Sequence, residues 1–136
     1  MSRVGPGGPL TKSPPSSTRS QHAEALEYFV QLAAVLDITV SQQTVLLGGL
    51  SVSGYRALKS KTDLVMKRDM ADRVAYGIRI FQRAGEVNGD PARWLRGEQR
   101  APIFQGKSPL DHMLRGGISD LIETYDHLRS LDGGWA

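Results

Sequence analysis

Apolar residues along this chain recur every three or four positions, and none of the longer runs alternates. Leu26, Phe29, Val30, Ala33 and Leu36 fall on one side of a 3.6-residue period, which predicts an amphipathic first helix beginning at Ser20. Ser41 reads as the N-cap of a short helix carrying Val45, Leu46 and Leu47, ended by Gly48-Gly49. Ser51 or Ser53 can cap the next short helix, over "GYRALKS", with Val52 and Leu58 inward. A longer helix follows, with Met70, Val74, Gly77, Ile78 and Phe81 on one face and Gly85 as its stop. In "NGDPARWL", Asp90 is a cap, Pro91 takes the first helical position, and Trp94 and Leu95 face inward. Ile118, Leu121, Ile122, Tyr125 and Leu128 make the stripe of a last helix. With no strand pattern and no internal repeat, the expectation is an all-α fold of about six short helices.

One segment looks like chemistry and is better read as geometry. "APIFQGKS", residues 101–108, fits a loose phosphate-binding loop with alanine in place of the first glycine. Such a loop works because successive backbone N–H groups converge on phosphate. Pro102 has no N–H to give, and Ile103 and Phe104 resist the required dihedrals. The helical alternative uses every residue. Gly106 turns the chain, Ser108 caps, Pro109 begins a helix, and Asp111 completes a Ser-x-x-Asp box. Leu110, Met113 and Leu114 then form its buried side before Gly116-Gly117. A nucleotide-binding enzyme is accordingly the weakest of three functional readings.

Composition narrows the rest. Residues 1–20 contain 14 Pro, Gly, Ser or Thr residues, which cannot build a core, so this stretch is expected to be a disordered arm. It has no apolar core of a secretory signal, no run approaches the roughly 20 apolar residues of a membrane span, and a cytoplasmic location is expected. The absence of cysteine excludes disulfides and thiolate metal sites. His22, His112 and His127 lack metal-ligand spacing and read as surface or capping residues, and Glu123 and Asp126 read as solvated. No metal, cofactor or catalytic constellation is expected.

Charge is split along the chain. Residues 51–80 carry seven basic and three acidic side chains, a net of +4, while residues 101–136 carry three basic and five acidic, a net of −2. Two surfaces with different partners would produce such asymmetry. The two short helices from Ser41 to Ser60, joined by a glycine turn, have the form of a helix-turn-helix. In that reading Ser53, Tyr55, Arg56 and Lys59 point outward to DNA. Ser41, Gln42 and Gln43 hold a phosphate, and Lys61 with Lys67 and Arg68 extends the backbone contacts. Such modules usually act as dimers, and the first helix is a candidate surface. A helical hairpin with a solvated basic face is the bland alternative. Trp135, next to the end after Gly133-Gly134, either folds back on the core or anchors a partner.

These segments together resemble the Xre/MbcA/ParS antitoxin family of bacterial toxin–antitoxin systems, over roughly residues 24–131. The likeness lies in "ARWL" (92–95), "FQGKSPLDHMLRGG" (104–117), the closing "ISDLIETYDHL", and the helix-turn-helix block "LLGGLSVSGYRALKS". The resemblance implies a non-enzymatic protein without a cofactor. It would bind and inhibit a RES-domain toxin that consumes NAD⁺ and repress its own operon by binding operator DNA. It also implies a helix-turn-helix DNA-binding and dimerisation domain over 21–85, a toxin-binding domain over 86–131 and a tail over 132–136. The positions it assigns to toxin binding are Trp94, Lys107, Ser108, Pro109, Arg115, Asp132, Gly133, Gly134, Trp135 and Ala136, with the tail "DGGWA" occluding the NAD⁺ pocket. A stand-alone repressor without a toxin is the alternative.

Overall fold

A computed structural model describes residues 19–133. The arm up to residue 18, and Gly134, Trp135 and Ala136, lie outside the described residues. Seven α-helices follow in order: α1 (Gln21–Val35), α2 (Val40–Leu46), α3 (Val52–Lys59), α4 (Arg68–Asn88), α5 (Pro91–Arg96), α6 (Pro109–Met113) and α7 (Ile118–Gly133). A 3₁₀ turn at Pro102–Phe104 precedes α6, and no strand occurs among the described residues. The fold is all-α, as the periodicity predicts, with one helix more than the expected six. No helix among the described residues is long and apolar enough to cross a membrane.

Local side chains start most of these helices. Ser20, Ser51, Asp90 and Ser108 accept the backbone N–H three residues on, from Ala23, Gly54, Arg93 and Asp111. Each such cap contributes about 1 kcal/mol. The cap of α2 is Thr39 and not Ser41: Thr39 Oγ1 accepts from Gln42 N, and Gln42 Oε1 accepts from Thr39 N. A reciprocal box satisfies two orphan donors where a lone serine satisfies one, and so it sets the boundary two residues earlier. The long α4 runs past Gly85 to Gly89, whose left-handed φ of 76° ends it. Helical φ suits Gly85 well enough that it does not break the helix.

α4 is the spine, packed against α1 on one side and α7 on the other. Leu26, Phe29 and Ala33 of α1, Val74, Ile80, Phe81 and Ala84 of α4, and Leu121 and Leu128 of α7 are buried in one core. Trp94, Leu95, Phe104, Leu110 and Met113 continue it, so the expected DNA-binding and toxin-binding segments share one interior. α1 approaches α4 closely because Gly77 has no side chain: a Cβ there would stand 2.6 Å from Phe29 Cε1. The Phe29 and Phe81 rings lie 5.7 Å apart beside it.

Polar ties fix the remaining segments. The extended stretch after α3 is held to the start of α1: Ser20 N–H donates to Thr62 O, Ser20 Oγ to Leu64 O, and Met66 N–H to His22 Nδ1 at 2.7 Å. His22 is therefore a structural acceptor. Arg96 donates to Leu36 O and Asp37 O, both at 2.8 Å, where Asp37 takes a left-handed φ of 59°. Arg73, only 9% exposed, donates from Nη1 to Gly116 O at 2.9 Å and more weakly to Leu46 O at 3.4 Å. Its Nε is paired with Asp69.

Candidate functional site

The α2–α3 pair is a tight unit. Gly48 and Gly49 both have positive φ, 106° and 90°, which only glycine adopts without strain. Gly49 N–H and Leu50 N–H both donate to Thr44 O, closing the turn. Beneath it, Tyr55 OH donates to Gln43 Oε1 at 2.8 Å, and Gln43 Nε2 donates to Ile38 O at 2.8 Å. Tyr55 has no exposed surface and Gln43 is 3% exposed. Burial pushes the Tyr55 phenol far up from its ordinary range, so the group is a neutral hydrogen-bond donor.

That chain of bonds corrects three sequence expectations. Tyr55 and Gln43 do not face outward to DNA; they lock α3 onto α2. Val52, expected inward, is 46% exposed. Ser51 caps α3, and the bond to Gln43 on α2 turns the Tyr55 side of the helix to the core. Ser53, Arg56, Lys59 and Lys61 are exposed as expected, and so is Ser41. Gln42 is half-buried, with its side-chain oxygen engaged in the α2 cap. Val52, Arg56 and Lys59 follow one another at spacings of four and three residues along one exposed side of α3, and Ser53, three before Arg56, lies beside them. Lys59 Nζ sits 4.4 Å from the Tyr55 ring centre, and Lys67 and Arg68 are exposed further along.

A second group of residues is built by α5, α6, α7 and the turn before α6. Phe104 is its centre. Trp94, His112 and His127 each meet its ring nearly at right angles, at 6.3, 5.5 and 5.2 Å. Trp94 is 6% exposed, Ser108 5%, and Pro109 is fully buried, so these three build the lobe largely from within. Lys107 and Arg115 are exposed and line a shallow polar hollow of about 500 Å³ with Arg96, Glu98 and Asp111. Lys107 N–H is spent on Phe104 O at 2.8 Å, and Gln105 and Gly106 make the turn with φ of 53° and 79°. The segment therefore has the capped-turn geometry and not that of a phosphate cradle. Desolvation lowers the His127 pKa from its ordinary value.

His112 departs furthest from expectation. It is 3% exposed rather than on the surface, and its Nε2 lies 2.9 Å from Glu123 Oε1 and 3.7 Å from Asp120 Oδ1. Glu123, expected to be merely solvated, is thus tied to a buried ring. The sequence carried no signal for this cluster, because its members stand eight and eleven residues apart across the α6–α7 turn. Asp132 and Gly133, assigned to a tail, belong to the last turn of α7, while Gly134, Trp135 and Ala136 lie outside the described residues. No protein family's sequence profile matches this chain, and no curated protein matches it.

Proposed function

We propose that this chain is a cytoplasmic, non-enzymatic antitoxin of the Xre/MbcA/ParS type. In this reading α3 presents Val52, Ser53, Arg56 and Lys59 to the major groove of the chain's own promoter. The C-terminal lobe and the end of the chain hold a RES-domain NAD⁺-consuming toxin inactive. The observation that carries it is the locked α2–α3 unit, with an exposed basic face on α3 and a buried Tyr55–Gln43 bond behind it. A solvated helical hairpin has no need of a buried polar lock that fixes the angle between its helices. Groove reading does, because base contacts require a side chain held in register. Exposed Val52 beside Arg56 offers an apolar contact for a thymine methyl next to a guanidinium for a guanine. Lys61, Lys67 and Arg68 supply phosphate contacts, and a homodimer would read two half-sites.

The toxin half of the proposal rests on the resemblance of residues 92–117 and on the acidic C-terminal third. Here Lys107 and Arg115 are the contact residues, Trp94, Ser108 and Pro109 shape the lobe, and residues 132–136 enter the toxin. The test has two arms. Arg56→Ala should weaken binding to the chain's own promoter by about 1–3 kcal/mol, and Lys61→Ala should weaken all DNA equally and reduce the salt slope by about one. Native-level pull-down should bring down a RES-domain partner, and Trp135→Ala should restore NAD⁺ consumption by it. Operator binding without any such partner would leave a stand-alone repressor and overturn the toxin half. Loss of neither DNA binding nor inhibition in these variants would overturn both.

A further inference from the structure

We propose that His112, Asp120 and Glu123 form a binding site for one zinc-class divalent ion, which would staple α6 to α7. The proposal is independent of the antitoxin reading. His112 Nε2, Asp120 Oδ1 and Glu123 Oε1 all lie within 4.8 Å of one another. A tetrahedral zinc site with bonds of about 2.0–2.2 Å holds its ligand atoms about 3.4 Å apart. The two distances from Nε2, 2.9 and 3.7 Å, straddle that spacing. Only Glu123 has to adjust, and its side chain is about half exposed. One imidazole and two carboxylates suit zinc and its neighbours, whereas calcium takes six to eight oxygens and magnesium an octahedron of them. Three protein ligands leave a fourth position for water or a partner's side chain.

Asp120 supplies a second, independent sign. The residue is 5% exposed, and its Oδ2 accepts Gly117 N–H at 3.1 Å, which fixes the carboxylate. Oδ1 then faces His112. Its neighbours there are His112 Nε2 at 3.7 Å and Arg115 Nε at 3.6 Å, both beyond hydrogen-bond reach. That oxygen makes no hydrogen bond to the described residues, so it is available to a cation seated between it and Nε2. The edge-on Phe104 ring, 5.5 Å from the imidazole, fixes the ring plane and forms an apolar wall behind the site. Arg115 is an opposing charge, and its side chain is 57% exposed, free to turn into solvent. Zinc takes the Nε2 lone pair, so the proton that Nε2 shares with Glu123 moves to Nδ1 of a neutral ring, and only a doubly protonated ring releases one to solvent.

The test uses the full chain, stripped with chelator and titrated with zinc sulfate by calorimetry, with thermal melts in parallel. One zinc per chain and a higher melting temperature are expected. Glu123→Gln, on an exposed helix face that keeps the fold, should weaken binding at least about tenfold, as should His112→Gln. Arg115→Ala should tighten it. Cobalt in place of zinc should give the visible bands of a four-coordinate site, and these should be lost in Glu123→Gln. His22→Gln, outside the cluster, should leave the zinc affinity and the cobalt bands unchanged. Absence of saturable one-to-one binding would overturn the proposal. So would zinc binding of equal strength in Glu123→Gln and Arg115→Ala, since an ion held by other groups would ignore both. Should His112→Gln fail to fold, those two variants still decide the matter.

Discussion

Tyr55 shows how a single side chain can be misassigned from sequence and then explain an interface. In "VSGYRALKS" both Val52 and Tyr55 are apolar enough to face the core, and an eight-residue helix offers too few turns for periodicity to choose between them. The bond to Gln43 makes the choice, and it is a three-dimensional one, because Tyr55 reaches Gln43 only once α3 folds back over α2. Tyr55→Phe leaves Gln43 Oε1 buried without that donor. It should cost about 1–3 kcal/mol in urea unfolding and, on the proposed DNA-binding reading, weaken promoter binding by loosening α3. A pH dependence follows from the same burial. The folded phenol's pKa lies above its unfolded value of about 10, so beyond that pH the unfolded chain holds fewer protons than the folded one, and stability falls as pH rises. Urea melts at about pH 9 and 11 should show this decline in the parent protein and less of it in Tyr55→Phe.

At the scale of the helix, the sequence is most legible where the signal is local. Ser20, Asp90-Pro91 and Ser108-Pro109 each cap the helix that their own next three residues begin, and each was readable without tertiary context. Thr39 and Ser41 compete for one role, and the winner depends on Gln42 reaching back. The close packing of α1 on α4 is half legible: Gly77 lies on the apolar face of its helix, but the pattern does not say which ring fills the space. Gly77→Ala decides between two opposed effects. Helix propensity favours alanine by about 1 kcal/mol, and forcing Phe29, which has no exposed surface, away from a Cβ at 2.6 Å costs about 1–3 kcal/mol. Overpacking should win, lowering the melting temperature. Adding Phe29→Leu should recover part of the loss, so that the two changes are non-additive in thermal melts.

Taken whole, the chain builds its basic middle segment and its acidic C-terminal third on a common core, a split visible in the charge pattern. What the sequence hid was the connection. Boundaries near residue 85 suggest two units, yet α4 runs through that point and packs on both α1 and α7. Unfolding should therefore be a single transition, with far-UV circular dichroism and the fluorescence of buried Trp94, followed in a Trp135→Phe variant, giving coincident urea curves. Two separate midpoints would mean that the halves fold alone. Arg73 makes the connection specific. One guanidinium, carried by the spine, reaches the end of α2 on one side and the α6–α7 turn on the other. Gly48 packs against it, with space for a Cβ only 3.5 Å from Nε. A hybrid taking its first three helices from one such protein and the remainder from another would keep the Arg73–Gly116 bond whole, and would depend on its first part for the weaker reach to the end of α2 and for a glycine at position 48. If the chain reads DNA as proposed, new preferences would arise on the outer face of α3, one side chain at a time, behind an unchanged Tyr55–Gln43 lock.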